Sequence, residues 1–420
     1  MDNARRLFHL CFMTKRTDIL IIGGGLNGAT LALALASGGF TVTLIDGRPR
    51  EIRADPAFDG RSYALAHASC AMLRALGLWE GLRDLAQPIL DIKVSDGRAG
   101  EGPSPFVLEF DHAEIEEGPM GHMVEDRHLR PHLLDALDAT PGITALSGRS
   151  VTAQSVDDRG VSVTLDDGSA CRAALLIGCD GRNSGTARRA GIRYTGWSYG
   201  QTALVTAIAH GQPHNGIAHQ FFMPEGPLAI LPLRGNRCSI VWTESDADAA
   251  RINPLPPEEY LAHLRPRFGD FLGDIALAGE RFTYPLSLSL AQSMIAPRLA
   301  LCGDAAHGMH PIAGQGLNAG LKDIAALAEV LTDAQRRGED FGRSDVLERY
   351  QQWRRFDIAS MALATDTFNR LFSNDNPLLR GLRDLGLGAV NALPRLRRGF
   401  IREAAGLTGD RPRLLEGRPL

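Results

Sequence analysis

Lysine is almost missing from this 420-residue chain: of 45 basic residues only Lys15, Lys93 and Lys322 are lysines, and the formal net charge is −4. Without an excess of positive charge or a basic stripe interleaved with aromatics, nothing in the sequence invites a nucleic-acid partner. The six cysteines (Cys11, Cys70, Cys171, Cys179, Cys238 and Cys302) are scattered and form no CxxC pair, so neither a disulfide framework nor a zinc site is indicated. That usage suits a reducing, cytoplasmic compartment. Missing too is any apolar run near the ~20 residues needed to span a bilayer, so work on a lipid would be done from the membrane surface. Repeats and low-complexity tracts are also lacking.

What remains is an ordinary globular composition, 44% hydrophobic and 22% charged. At ~150 residues per domain the length predicts two or three structural units. The opening MDNARRLFHLCFMTKRTDIL is poor in acids, as targeting peptides are, but a strand beginning at Asp18 favours Met13 as the start.

The strongest local signal is DILIIGGGLNGATLALALASGGFTVTLID, Asp18 to Asp46. Ile19 to Ile22 read as a buried parallel strand, Gly23, Gly25 and Gly28 form GxGxxG, an Ala/Leu-rich helix follows, and a second strand closes on Asp46. In such a βαβ unit the glycines let a pyrophosphate approach the helix N-terminus, and the acid at the second strand's end accepts hydrogen bonds from a ribose. Two further buried strands end on nucleotide-type turns, one at Asp180 in AALLIGCDG and one from Arg298 to Cys302 before GDAAH. Three such strand ends spread along the chain predict one doubly wound domain assembled from distant segments. Elsewhere Ser62 to Leu78 reads as helix, as does a segment beginning near Asp126. Gln220 to Phe222, Leu228 to Leu233 and Cys238 to Trp242 read as strands of a separate mixed sheet, and the chain after Asp323 is mostly helical.

The set GxGxxG with Asp46, CDGRNS at Cys179 to Ser184, and GDAAHGMHPIAGQGLNAGLKD at Gly303 to Asp323 resembles the single-component FAD-dependent aromatic hydroxylases, the p-hydroxybenzoate hydroxylase-like flavoprotein monooxygenases. DGRSYALAHAS (Asp59 to Ser69), MVEDRHLR, GPLAILPL (Gly226 to Leu233), HPIAGQGLN and YQQWRRFD (Tyr350 to Asp357) narrow the resemblance to ubiquinone-biosynthesis hydroxylases of the UbiH type. The likeness runs from about Thr17 to Gly406.

The resemblance implies an α/β fold: a doubly wound, Rossmann-like FAD-binding domain of the glutathione reductase type, an inserted mixed β-sheet substrate domain and a helical C-terminal region. The expected division is 14–80, 118–196 and 283–335 for FAD; 81–117 and 197–282 for substrate; and 336–420 for the helical part. It further implies noncovalent FAD, NAD(P)H as transient reductant and O2 as co-substrate, with a prenylated phenol hydroxylated through a C4a-hydroperoxyflavin. Carried over residue by residue, it assigns Gly23, Gly25 and Gly28 to the pyrophosphate and Asp46 to the ribose. Arg61 would reach the phosphates, Arg127 would lie beside the adenosine half, and Asp180-Gly181 would serve FAD and the nicotinamide. Gly303-Asp304 would hold the ribityl or pyrophosphate part, and Pro311, Gly314, Gly316, Leu317 and Asn318 would line the flavin ring. One departure is Ala187, where the family has arginine, with Arg188 following it.

His307 is expected as a structural hydrogen-bond partner, whereas His310, before the flavin-side proline, is the candidate for facing substrate with Pro311. The pair has no third ligand of suitable spacing for a metal. Phe221, Phe222, Leu228, Ile230 and Leu231 are expected either as an apolar wall of the site or as plain core. The segment Asn376 to Gly406 mixes leucines with arginines and suits either an anionic membrane surface or packing on its own domain. Two other readings stay open: a hydroxylase of a small soluble aromatic, and a low-turnover flavoprotein subunit of a membrane-associated quinone-biosynthesis complex. A homodimer is open as well.

Overall fold

The structure is a computed structural model that describes residues 15–100, 102–103, 107–310, 314–372 and 393–420. Pro311, the alternative start at Met13 and most of the 376–406 amphipathic segment lie outside the described residues.

A six-stranded sheet runs in the order Ile143–Ser147, Val42–Asp46, Ile19–Ile22, Leu175–Gly178, Leu299–Leu301, Ile295–Ala296. The first five pair in parallel and only the last is antiparallel. All four residues of Ile19–Ile22 and of Leu175–Gly178 are buried, which explains their unbroken apolar runs: a parallel strand covered on both faces has no solvent side to alternate toward. Helix Leu26–Ser37 and the 22-residue helix Gln315–Arg336 belong to the same core as the strands. Ile19–Ile22 has Val42–Asp46 on one side and Leu175–Gly178, far on in sequence, on the other. Chain order reverses there, and crevices for cofactors open at the carboxyl ends of strands flanking such a point.

The second large element is a ten-stranded sheet built around Tyr194–His210, Arg237–Ser245, Gly226–Leu233 and Ile217–Met223, with Phe282–Ala291 on one side and Asp91–Arg98 on the other. Its side chains divide by parity. Leu204, Ile208, Phe221, Leu228, Ile230, Ile240 and Trp242 pack with Tyr260, Leu261, Leu264 and Phe268 of helix Pro257–Phe268. The opposite face, with Ala203, Val205, Phe222, Ala229, Leu231 and Val241, fronts a large cavity.

Ser62 to Leu78 is not one helix. Ser62–Ala66 is a strand, paired antiparallel with Gly121–Glu125 in a three-stranded sheet, and the helix starts only at His67. Ala66 N donates to Asn318 Oδ1 at 2.9 Å, so a tertiary contact 252 residues away holds this segment extended against its local propensity.

Candidate functional site

The glycine turn fits a phosphate group by exclusion and by opening. Gly23 has φ +99°, and a Cβ there would lie 2.3 Å from Cys179 O; at Gly28 it would lie 1.8 Å from Gly23 O. Both glycines let backbone pack on backbone where two strands and a helix converge. Gly25 differs: nothing lies within 4 Å of its ideal Cβ, and as N-cap of Leu26–Ser37 it gives that helix no side-chain cap. Open space at an uncapped helix N-terminus is what an anionic group occupies. At the next strand end, Asp46 accepts from Gly24 N at 2.7 Å and from Arg48 N at 2.8 Å.

A cavity of about 1610 Å³ lies between this domain, the ten-stranded sheet and the C-terminal helices. Arg61, Arg182, Asp304, Gly314, Gly316 and Leu317 line one end of it. Asp304 follows Gly303, whose φ of +63° turns the chain after the Leu299–Leu301 strand; its side chain is 46% exposed, with Arg182 Nε 3.7 Å from Oδ2. Arg61 is held by Asp59 at 2.7 Å and Asp126 at 3.3 Å, and lies 5.6 Å from the Phe282 ring. Gly314, at φ +64°, is the N-cap of Gln315–Arg336, so that helix begins on the cavity wall.

Residues 16–364 match a protein family described as FAD binding domain. The chain belongs to this FAD-binding family. The flavoprotein is 47% identical over 409 residues to ubiquinone hydroxylase UbiL of Rhodospirillum rubrum, covering 97% of this chain and 94% of that one. It is 36% identical to the 3-demethoxyubiquinol 3-hydroxylase of Escherichia coli, covering 93% and 99% of the two chains. The p-nitrophenol 4-monooxygenase PnpA of Pseudomonas putida shares the fold, with a TM-score of 0.78 at 20% identity, over 95% of this chain and 100% of that one.

Other expected site residues of the flavoprotein stand differently. Asp180 is engaged by its own turn, accepting from Ser184 Oγ at 2.5 Å and from Thr186 N and Oγ1, each at 2.9 Å, while Gly181 turns at φ +79°. Arg127 is paired with Glu125 at 2.7 Å and covers Phe58, whose ring also meets Arg237. The Asn318 side chain bonds Ala66 N, Ser69 Oγ, Ala64 O and Gly314 O, clamping the start of Gln315–Arg336 to the Ser62–Ala66 strand. His310 is 2% exposed, has no partner for either ring nitrogen and meets the Tyr199 ring edge-on at 5.3 Å; it is not among the residues lining the cavity. Burial, with Arg182 adding to it, lowers the imidazole to about 4. His307 is the structural partner its position suggested, 2.5 Å from Asp323 Oδ2. Ala187 is fully buried in the short helix Gly185–Arg189.

The apolar wall is corrected by parity: Phe222 and Leu231 face the large cavity, while Phe221, Leu228 and Ile230 lie in the core on the other side of the sheet. Sequence reasoning missed three arginines. Arg182 spans from Asp304 to Met309 O. Arg53, 5% exposed, donates to Gly24 O and Ser147 Oγ beside Asp46, and burial lowers its pKa. Arg354 meets Asp323. YQQWRRFD and CDGRNS contain two of these, but no local spacing ties either to the turn it meets.

Proposed function

We propose that the chain is an FAD-dependent monooxygenase that uses NAD(P)H and O2 to hydroxylate the ring of a polyprenylated phenol in ubiquinone biosynthesis. The observation that carries this reading is the large cavity. Its 1610 Å³ exceeds the roughly 300–1,000 Å³ of usual small-molecule pockets, and it runs from the cofactor-side residues along an apolar sheet face to Phe368 and Phe400 of the C-terminal helices. With the flavin at the end lined by Asp304, Gly314 and Gly316, the rest of that space continues along apolar side chains beyond the reach of a small soluble phenol and suits a ring with an isoprenoid tail. The names of the relatives, ubiquinone hydroxylase and 3-demethoxyubiquinol 3-hydroxylase, agree with this substrate class.

Bound FAD supplies the oxygen-activating chemistry, which side chains of a protein lack. The residues named above fit it: Gly23, Gly25 and Gly28 admit the pyrophosphate, Asp46 holds the ribose, and Asp304 with Arg61 and Arg182 faces the middle of the cofactor. Gly314, Gly316 and Leu317 place the start of a long helix, and its unpaired peptide N–H groups, beside the ring. Phe222, Leu231 and Val241 exclude water from the reacting ring.

Peripheral attachment to the inner membrane face belongs to the same reading. No helix among the described residues is long and apolar enough to cross a membrane. On the C-terminal helices, however, Phe356 (79% exposed), Leu363 (69%), Leu393, Leu396 and Phe400 stand in water, with Arg395 and Arg398 exposed on helix Pro394–Ala404. Such a mixture suits an anionic bilayer carrying the prenylated substrate.

Purified protein should be yellow, and deleting its gene should lower ubiquinone and accumulate a prenylphenol. Unchanged quinone in the deletion strain would overturn the assignment.

A further inference from the structure

Around Gln220 the cavity face of the ten-stranded sheet is small and aliphatic, with the Ser239 hydroxyl further along it. Gln220 has Val94 and Ala229 as register partners on its two flanking strands, and Ala229 pairs in turn with Val241. All four side chains line the cavity. Gln220 is only 9% exposed, and its Nε2 has no hydrogen-bond partner. A buried donor without a partner costs free energy that an aliphatic side chain in the same place would not, and Val94, Ala229 and Val241 show that the neighbouring positions are filled by aliphatics. The cost is recovered when a ligand brings an acceptor. The cofactor-side groups do not compete for this position: Arg61 is held by Asp59 and Asp126, and Arg182 by Met309 O and Asp304.

We propose that Gln220 is a specificity-determining residue, whose side-chain amide donates a hydrogen bond to a ring oxygen of the aromatic head group lying on the sheet. The inference rests on the reading of the cavity as a prenylphenol site and adds to it how the head group is told from the tail. Apolar contact with the neighbouring aliphatics holds ring and tail alike and cannot orient them. A buried donor set among those aliphatics does, because it is satisfied only when the ring oxygen is opposite it. A site built around such a bond rejects the analogue that lacks the oxygen.

The test is titration of the FAD-loaded protein, followed by the flavin absorbance, with a short-chain prenylated phenol and with the same compound carrying hydrogen in place of its hydroxyl. Wild type should prefer the phenol. Gln220→Met, close in shape but without the amide, should keep its flavin and lose roughly 2- to 10-fold of that preference, chiefly through weaker phenol binding. If the methionine variant fails to hold FAD, Gln220→Asn, which withdraws the amide by one methylene, should show the same loss. A phenol preference that survives the substitution overturns the assignment, as does wild-type binding with no preference. Failure of wild type to bind either compound overturns instead the reading of the cavity on which the assignment rests.

Discussion

Arg354 Nε donates to Asp323 Oδ1 at 2.8 Å where both side chains are nearly or wholly removed from water, 3% and 0% exposed. The other oxygen of Asp323 receives His307 Nε2 at 2.5 Å and Gly303 N at 2.9 Å. One carboxylate therefore ties the turn bearing Asp304 to helix Ser344–Phe372, whose Phe356, Met361 and Thr365 line the cavity. Burial by itself would raise the Asp323 carboxyl; His307 and Arg354 outweigh it and hold the group below the usual carboxylate range. Removing one member leaves the others buried and uncompensated, so Asp323→Asn should cost about 3–5 kcal/mol in stability by chemical denaturation. It should also speed FAD loss. The stabilising contribution is present above the ordinary carboxylate pKa and is lost as pH falls through the depressed folded value.

Two glycines of one motif should fail in different ways. Gly28→Ala drives a Cβ to 1.8 Å from Gly23 O, a backbone contact that cannot yield, so folding itself should suffer and soluble yield should drop. Gly25→Ala meets nothing within 4 Å in the free protein. Its unfolding curve should stay close to wild type while FAD affinity falls, which equilibrium dialysis against free flavin would measure. Equal destabilisation by both substitutions would contradict the assignment of Gly25 to the cofactor.

How far the sequence foretold these features depended on whether their cause was local. The parallel strands are recognisable because burial on two faces leaves an apolar run, and Gly23 and Gly28 because a tight turn tolerates no Cβ. The Ser62–Ala66 strand was not recognisable, since its extended form rests on Gly121–Glu125 and on Asn318. Asn318 itself reads as a flavin-side residue in HPIAGQGLN, yet its side chain is fully occupied as a clamp. Arg53, Arg182 and Arg354 reach partners at least 29 residues away, and single-sequence spacing carries no record of such contacts. For the wall residues the strand was foreseen but its facing was not, because Phe221 and Phe222 are both apolar and only the cavity tells which parity faces it.

Acid should destabilise the protein before its carboxylates titrate. Burial is the main cause that lowers His122, His219 and His310 from 6.5 to about 4, with His67, Lys93 and Arg182 respectively adding to it. A histidine kept neutral in the fold but free to protonate when unfolded stabilises above the unfolded pKa and loses that contribution as pH falls toward the folded one. Between pH 6.5 and 4 each should remove up to about 1.4 kcal/mol per pH unit. Denaturant midpoints measured across that range should fall steeply, and His219→Phe should flatten the slope; a midpoint independent of pH above 5 would contradict buried neutral imidazoles.

The exposed apolar residues of the C-terminal helices make a separable prediction for membrane attachment. Leu393 and Leu396, at the start of Pro394–Ala404, are 51% and 52% exposed and are not among the residues lining the cavity, while Ile401 on the same helix is fully buried and anchors it to the body. Arg397 and Arg402 face inward onto Glu114 and Glu117, at 2.8 Å and 2.7 Å. Leu393→Ser with Leu396→Ser should therefore leave the fold intact and weaken sedimentation with vesicles containing anionic lipid. Losing two apolar side chains from an interface removes roughly 3–6 kcal/mol if both are fully buried there, enough to abolish binding by a peripheral protein. Added salt should weaken the wild-type interaction as well, because Arg395 and Arg398 contribute by charge. Turnover of a short-chain, water-dispersed substrate should fall far less than turnover of the long-chain compound held in vesicles. Equal losses on both would place these residues in the substrate cavity rather than at the lipid surface.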